Sequence, residues 1–183
     1  MNLQKGVIRK WSDRMLIIKM IIYTFIFLTC SIIGILKSRK YVYRVNELRE
    51  FKNALNIFKS KVNFTYEPIP EIFDQISESS NSNIGGVFRK ASYNMNFKSA
   101  GEAWNTAVET DILNINAEDK NILKDLGKLL GKTDLKGQVN QIDLTSSFLD
   151  NQIKKAEIER EKNERMYRTL GMILGLGIVI ILL

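Results

Sequence analysis

The sequence predicts an all-α protein, a cytoplasmic bundle of about six helices flanked by two transmembrane helices, because its apolar residues follow only helical patterns. Three observations predict it. Apolar runs at Met15–Leu36 and Leu170–Leu183 bracket the chain, with Thr169 the last polar side chain. Between them apolar residues recur at spacings of three and four, and no stretch alternates polar and apolar long enough to demand a strand. The prolines are confined to Pro68 and Pro70, so little interrupts a helix elsewhere.

A bilayer's hydrocarbon core needs roughly 20 apolar residues in a helix, at about 1.5 Å rise per residue. Met15–Leu36 meets that length if Lys19 carries its ammonium back to the interface. Leu170–Leu183 covers about 21 Å by itself. Counted from Met166, with Arg168 snorkelling back, it reaches roughly 27 Å, enough for a slightly thinned bilayer. Two spans therefore account for both runs better than a pair of soluble core helices. Gly171 and Gly175 have the small-residue spacing that lets membrane helices approach closely, and Gly177 follows. These three are the expected helix-packing positions.

Basic residues are retained on the cytoplasmic side of a membrane. The first run is followed by Lys37, Arg39, Lys40, Arg44 and Arg49, and the second is preceded by Lys154, Lys155, Arg160, Lys162, Arg165 and Arg168. Both inner flanks place the middle segment in the cytoplasm, with both chain ends across the membrane. Lys37, Arg39, Lys40, Arg165 and Arg168 are the expected interface anchors. Lys5, Arg9, Lys10 and Arg14 disagree with this asymmetry. The expectation is that translation naturally begins at Met15, which divides the chain into an extension (1–14), a first span (15–36), a bundle (37–165) and a second span (166–183). A cleaved signal peptide is the alternative, but no small-x-small cleavage site follows Leu36.

In the middle segment Leu48, Phe51, Leu55, Phe58 and Val62 form one apolar stripe, which stops before Pro68 and Pro70. A proline suits the first turn of the next helix, where an amide hydrogen has no partner anyway. That helix carries Ile69, Ile72, Phe73 and Ile76 and gives way at Ser79–Asn83; a weaker one is expected over Gly86–Met95. Ser99 with Glu102 three residues on is a capping box, opening a helix with Ala103, Trp104, Ala107 and Val108. Asn116, followed by Glu118 and Asp119, repeats the start signal for a helix lined by Ile122, Leu123, Leu126, Leu129 and Leu130, with Gly131 as its left-handed stop. From Asp134 the pattern continues through Leu135, Val139, Ile142, Leu149, Ile153 and Ala156 into a charged stretch that runs on to the second span.

Composition removes most chemistry. The chain has no histidine, and its one cysteine, Cys30, lies inside the first run. Histidine acid–base catalysis, zinc sites of His and Cys, soluble thiol nucleophiles and internal disulfides are all excluded. The carboxylates are scattered and form no D-x-D pair, so no catalytic, cofactor-binding or metal-binding residue is assigned, and no enzyme is expected. Much of the net charge of +7 flanks the spans, where cytoplasmic retention and anionic lipid explain it without nucleic acid. Asn63-Phe64-Thr65 has the form of a glycosylation acceptor, which a cytoplasmic placement makes irrelevant. Gly127-Lys128-Leu129-Leu130-Gly131-Lys132-Thr133 approaches a phosphate-binding loop but has one residue too few between its glycines and follows a helix, whose carbonyl end repels phosphate. Trp104 reads as core; Glu67 and Glu71 read as helix-start charges. The charged stretch Lys154–Arg168 is open between a partner-docking face and a solvated helix.

Several of these segments together resemble the stage III sporulation protein AB family. They are Arg44-Val45-Asn46-Glu47-Leu48-Arg49, the Pro68/Pro70 break, Ala100-Gly101-Glu102-Ala103-Trp104, Leu126-Gly127-Lys128-Leu129-Leu130-Gly131, and Lys162-Asn163-Glu164-Arg165-Met166-Tyr167 before Leu170-Gly171. The resemblance runs in order from Met15 to Leu183, and residues 1–14 depart from it. It implies a mother-cell membrane protein of endospore-forming bacteria, with a bundle similar to the inner-membrane platform protein of type II secretion and type IV pilus systems. It further implies a secretion-type ATPase partner (SpoIIIAA-like) and other membrane proteins of the SpoIIIA operon, building a channel between mother cell and forespore. A non-catalytic platform coupling ATPase to membrane partners, open to homo-oligomerisation, is the leading expectation. A membrane-anchored regulator whose helical domain binds a soluble signalling protein is the alternative.

Overall fold

The computed structural model describes residues 2–65, 67–80 and 83–182, with side chains from residue 17 onward. The basic side chains of the expected extension and the Met15 start lie outside the described side chains, and Tyr66, Asn81, Ser82 and Leu183 lie outside the described residues. Among the described residues six helices form: α1 (Asn2–Phe64), α2 (Ile69–Ser79), α3 (Asn83–Asn94), α4 (Ala100–Thr110), α5 (Ala117–Gly127) and α6 (Leu135–Leu182). Among the described residues no strand occurs. The chain divides into two compact units, one of residues 1–40 with 161–183 and one of residues 41–160.

The second unit is the bundle. The α1 stripe turns its leucines and phenylalanines inward, so that Leu48, Phe51, Leu55 and Phe58 are fully buried. Pro68 caps α2 and Pro70 sits in its first turn, where the missing amide costs nothing. α2 packs on α3, α3 on α4 and α4 on α5. Phe73 is the hub: its ring lies 5.1 Å from Phe58, 5.0 Å from Phe88 and 5.6 Å from Trp104, all edge-on, the geometry aromatic quadrupoles prefer. Trp104 is fully buried, and its indole nitrogen donates to the Leu123 carbonyl at 2.6 Å, tying α4 to α5 without an orphaned donor.

Both capping boxes form. Ser99 accepts from the Glu102 amide while Glu102 accepts from the Ser99 amide, and Asn116 and Asp119 do the same for α5. Two boundaries differ from the sequence reading. α3 begins three residues before Gly86, because Ile84 and Gly85 are buried and the helix must start early enough to bring them in. α5 ends at Gly127, short of Gly131, and residues 128–132 continue as a tightened turn with Lys128 donating to Asp125 and Lys132 to Leu129. Gly131 does take a left-handed φ of +73°, but as the close of that turn. The tightening turns Leu129 outward, so it is exposed where the helical pattern placed it inside.

Gly127 has its own reason to be glycine. A side-chain carbon there would strike the Asn105 amide oxygen, and one on Gly101 would strike the Gly127 carbonyl. These two glycines let α4 and α5 touch backbone to backbone. Gly101→Ala should therefore lower bundle stability by about 1–3 kcal/mol, whereas Gly86→Ala, with only an Asp111 oxygen at 3.8 Å, should be neutral or stabilising. Thermal unfolding by circular dichroism compares the two; equal midpoints would refute the close-approach account.

Three exposed carboxylates are held below their ordinary range by partners: Glu102 by the Ser99 hydroxyl and then its amide, Glu109 by Lys124, and Glu118 by Lys155 and then Gln152. A carboxylate depressed in the folded state stabilises fully above its unfolded value, about 4.5, and loses that stabilisation as pH falls through the folded value. Melting temperature should hold above pH 5 and fall below about pH 4.5, with Glu102→Gln flattening part of the fall.

Candidate functional site

Within the bundle, ion pairs line the seam where α1 meets α6 and form one buried node. Asp119 has no exposed side-chain surface and Arg44 only 8%. The Arg44 guanidinium donates from Nε to Asp119 Oδ2 at 2.8 Å, from Nη2 to Oδ1 at 3.1 Å, and from Nη1 to Glu159 at 2.6 Å. The Asp119 hydrogen bond raises the guanidinium further above its ordinary value, outweighing burial, so Arg44 stays charged. One turn on, Glu47 accepts from the Asn114 amide and from its side chain, both at 2.6 Å. Arg44 and Glu47 thus hold the connection between α4 and α5 against α1. Down the seam Arg49 pairs with Glu157, Lys52 with Asp150 and Lys59 with Asp143. Such exposed pairs add little stability but fix which faces meet.

The first unit holds the two apolar segments. Each of α1 and α6 contains a stretch long and apolar enough to cross a membrane, and hardly any of either stretch is buried within the protein. The two pass each other at glycines. A side-chain carbon on Gly171 would lie 3.1 Å from the Gly34 α-carbon and 2.9 Å from the Cys30 carbonyl; one on Gly34 would lie 2.7 Å from the Tyr167 carbonyl. Gly175 faces Phe27 and Cys30, while Gly177 has nothing within 4 Å. At the far end the Tyr23 hydroxyl donates to the Leu182 carbonyl at 2.8 Å, so the segments run antiparallel.

Of the sequence-assigned positions, Gly171 and Gly175 come together with the first apolar segment and Gly177 stands apart from it. Lys37, Arg39, Lys40, Arg165 and Arg168 are all exposed, and Arg168 reaches Glu164 at 3.7 Å. Arg44 and Arg49, counted from sequence with the basic flank, are engaged in the bundle instead. Sequence reasoning missed the partner surface, Cys30 and Gly34. The signal was present: they are small residues four apart, matching Gly171-x-x-x-Gly175 on the other segment.

Residues 19–183 match the stage III sporulation protein AB family. The chain belongs to that family. A relative from Bacillus subtilis (strain 168), the stage III sporulation protein AB, is 24% identical over 170 residues, covering 91% of this chain and 99% of that one. A solved structure of a stage III sporulation protein AB superposes with a TM-score of 0.62 at 22% identity, covering 66% of this chain and 98% of the other, and shares its fold.

Three of the segments that carry the family resemblance have structural duties in the bundle. In the Arg44–Arg49 segment, Arg44 and Glu47 pin the α4–α5 connection while Val45 and Leu48 are core. In the Ala100–Trp104 segment, Gly101 makes the close approach, Glu102 closes the capping box and Trp104 is core. The phosphate-loop look-alike divides the same way: Gly127 touches Gly101, Leu126 and Leu130 are core, and Gly131 closes a turn.

The paired apolar segments offer a direct test, because Cys30 is the sole cysteine. A side-chain carbon at position 175 would stand 3.3 Å from the Cys30 β-carbon, close to disulfide range. Gly175→Cys should lose both maleimide-reactive thiols on mild oxidation in membranes, and Gly177→Cys should keep them. Cross-linking at 177 but not at 175 would reject this packing.

Proposed function

We propose that the protein is a non-catalytic inner-membrane platform component of a sporulation-specific secretion or channel apparatus between mother cell and forespore. In this reading its bundle faces the cytoplasm, meets a secretion-type ATPase and passes that motor's conformational cycle to membrane partners. The observation that carries the reading is that α1 and α6 each contribute both to the apolar pair and to the charged bundle. One continuous element therefore serves surfaces on both sides of the interface. The basic flank at Lys37, Arg39, Lys40, Arg165 and Arg168 supports the cytoplasmic placement. The family's sporulation assignment supplies the setting. The absence of histidine and the structural employment of the family motifs support a role without chemistry.

Two measurements test this. Full-length protein, purified from sporulating cells in membrane-preserving conditions, should bring the ATPase with it; reproducible absence of the ATPase would defeat the coupling role. Deleting Leu170–Leu183 should abolish sporulation even where the remaining protein stays membrane-bound, since a platform needs its second span and a regulator anchored by the first does not.

A further inference from the structure

The apolar segments do not close along their whole length. Beside the Gly34–Gly171 crossing lies a groove of about 360 Å³. Its walls include Cys30, Ile33, Leu170 and Leu174, and its one charged lining residue, Lys37, shares one end with Tyr167. Lys37 is exposed and no carboxylate pairs with it among the described residues. α1 carries no Asp or Glu from Ile17 to Asn46, and the last acidic residue of α6, Glu164, pairs with Arg168 at 3.7 Å. Arg39, Lys40, Arg165 and Arg168 lie at the same polar end of the pair. The groove is therefore apolar along its length and cationic at one end.

Length chooses the occupant. From Tyr167 to Ile178 the groove follows α6 for roughly 16 Å at the helical rise. That is about half of a hydrocarbon core of ~30 Å, the depth of one leaflet. A single lipid requires an apolar slot one leaflet deep with a cation at the headgroup level, where an aromatic such as Tyr167 also favours the interface. We infer that this groove is a binding site for one anionic phospholipid, its acyl chain lying beside the glycine crossing and its phosphate on the Lys37 ammonium. The inference rests on the membrane placement of the first unit and is independent of any motor.

The full-length protein in nanodiscs of equimolar phosphatidylglycerol and phosphatidylethanolamine, released into native mass spectrometry, tests the site. The expected result is one retained phosphatidylglycerol in preference to phosphatidylethanolamine. Lys37→Gln, at an exposed position that leaves the fold intact, should reduce that preference roughly fivefold, the ordinary effect of one lysine near anionic lipid. Ile33→Trp should fill the slot and release lipid of either headgroup, while Lys136→Gln, an exposed position in the other unit, should behave as the parent protein. The inference is overturned if the parent protein shows no headgroup preference, if Lys37→Gln keeps the parent's preference, or if a second copy of the chain is retained in place of lipid. No ATPase is present, so failure here leaves the platform reading standing, and loss of ATPase co-purification leaves the lipid site standing.

Discussion

Asp119 performs two tasks with one carboxylate. It accepts from the Asn116 amide to close the first turn of α5, and it takes the Arg44 guanidinium of α1 in a two-point contact. Both tasks occur out of water, where a charge left without its partner costs about 3–5 kcal/mol, a large share of a domain's ~5–15 kcal/mol. The start of α5 and the face of α1 are therefore fixed together. Glu47 extends the arrangement by holding Asn114, so the residues joining α4 to α5 are gripped by two successive turns of one helix. An apolar pair in the same place would bury area but would leave the Asn116 amide at the start of α5 to find another acceptor. The ion pair supplies geometry that a greasy contact does not specify.

The same chain must satisfy two environments. Below Arg44 the bundle follows the rules of water, with aromatic rings gathered around Phe73 and charges spread along the α1–α6 seam. In the apolar pair those rules no longer bring helices together, because hydrocarbon solvates leucine as well as another leucine does. What remains is close packing of backbones. Gly34, Gly171 and Gly175 supply it, and Thr24 and Thr29 return their hydroxyls to their own helix's carbonyls.

Most of the architecture was legible because its causes are local. The stripe from Leu48 to Val62, the Pro68/Pro70 break and the capping boxes at Ser99 and Asn116 each depend on residues within a few positions of one another, which is the range over which helix starts, stops and faces are decided. The two apolar runs announce themselves for the same reason. The ends of α3 and α5 were less legible because burial of Ile84 and the approach of Gly101 to Gly127 involve other helices.

By itself, then, the sequence determined the helix count, both apolar segments and the lack of histidine chemistry, since these follow from periodicity, length and composition. Only the tertiary structure decided that Arg44 belongs to a buried node and not to the basic flank, that Cys30 and Gly34 are the surface met by Gly171 and Gly175, and that Gly177 is left out. The physical reason is the same in each case. A charge or a missing β-carbon acquires its role from the atom opposite, and that atom stands more than a hundred residues away in the glycine pair and 75 residues away in the ion pair.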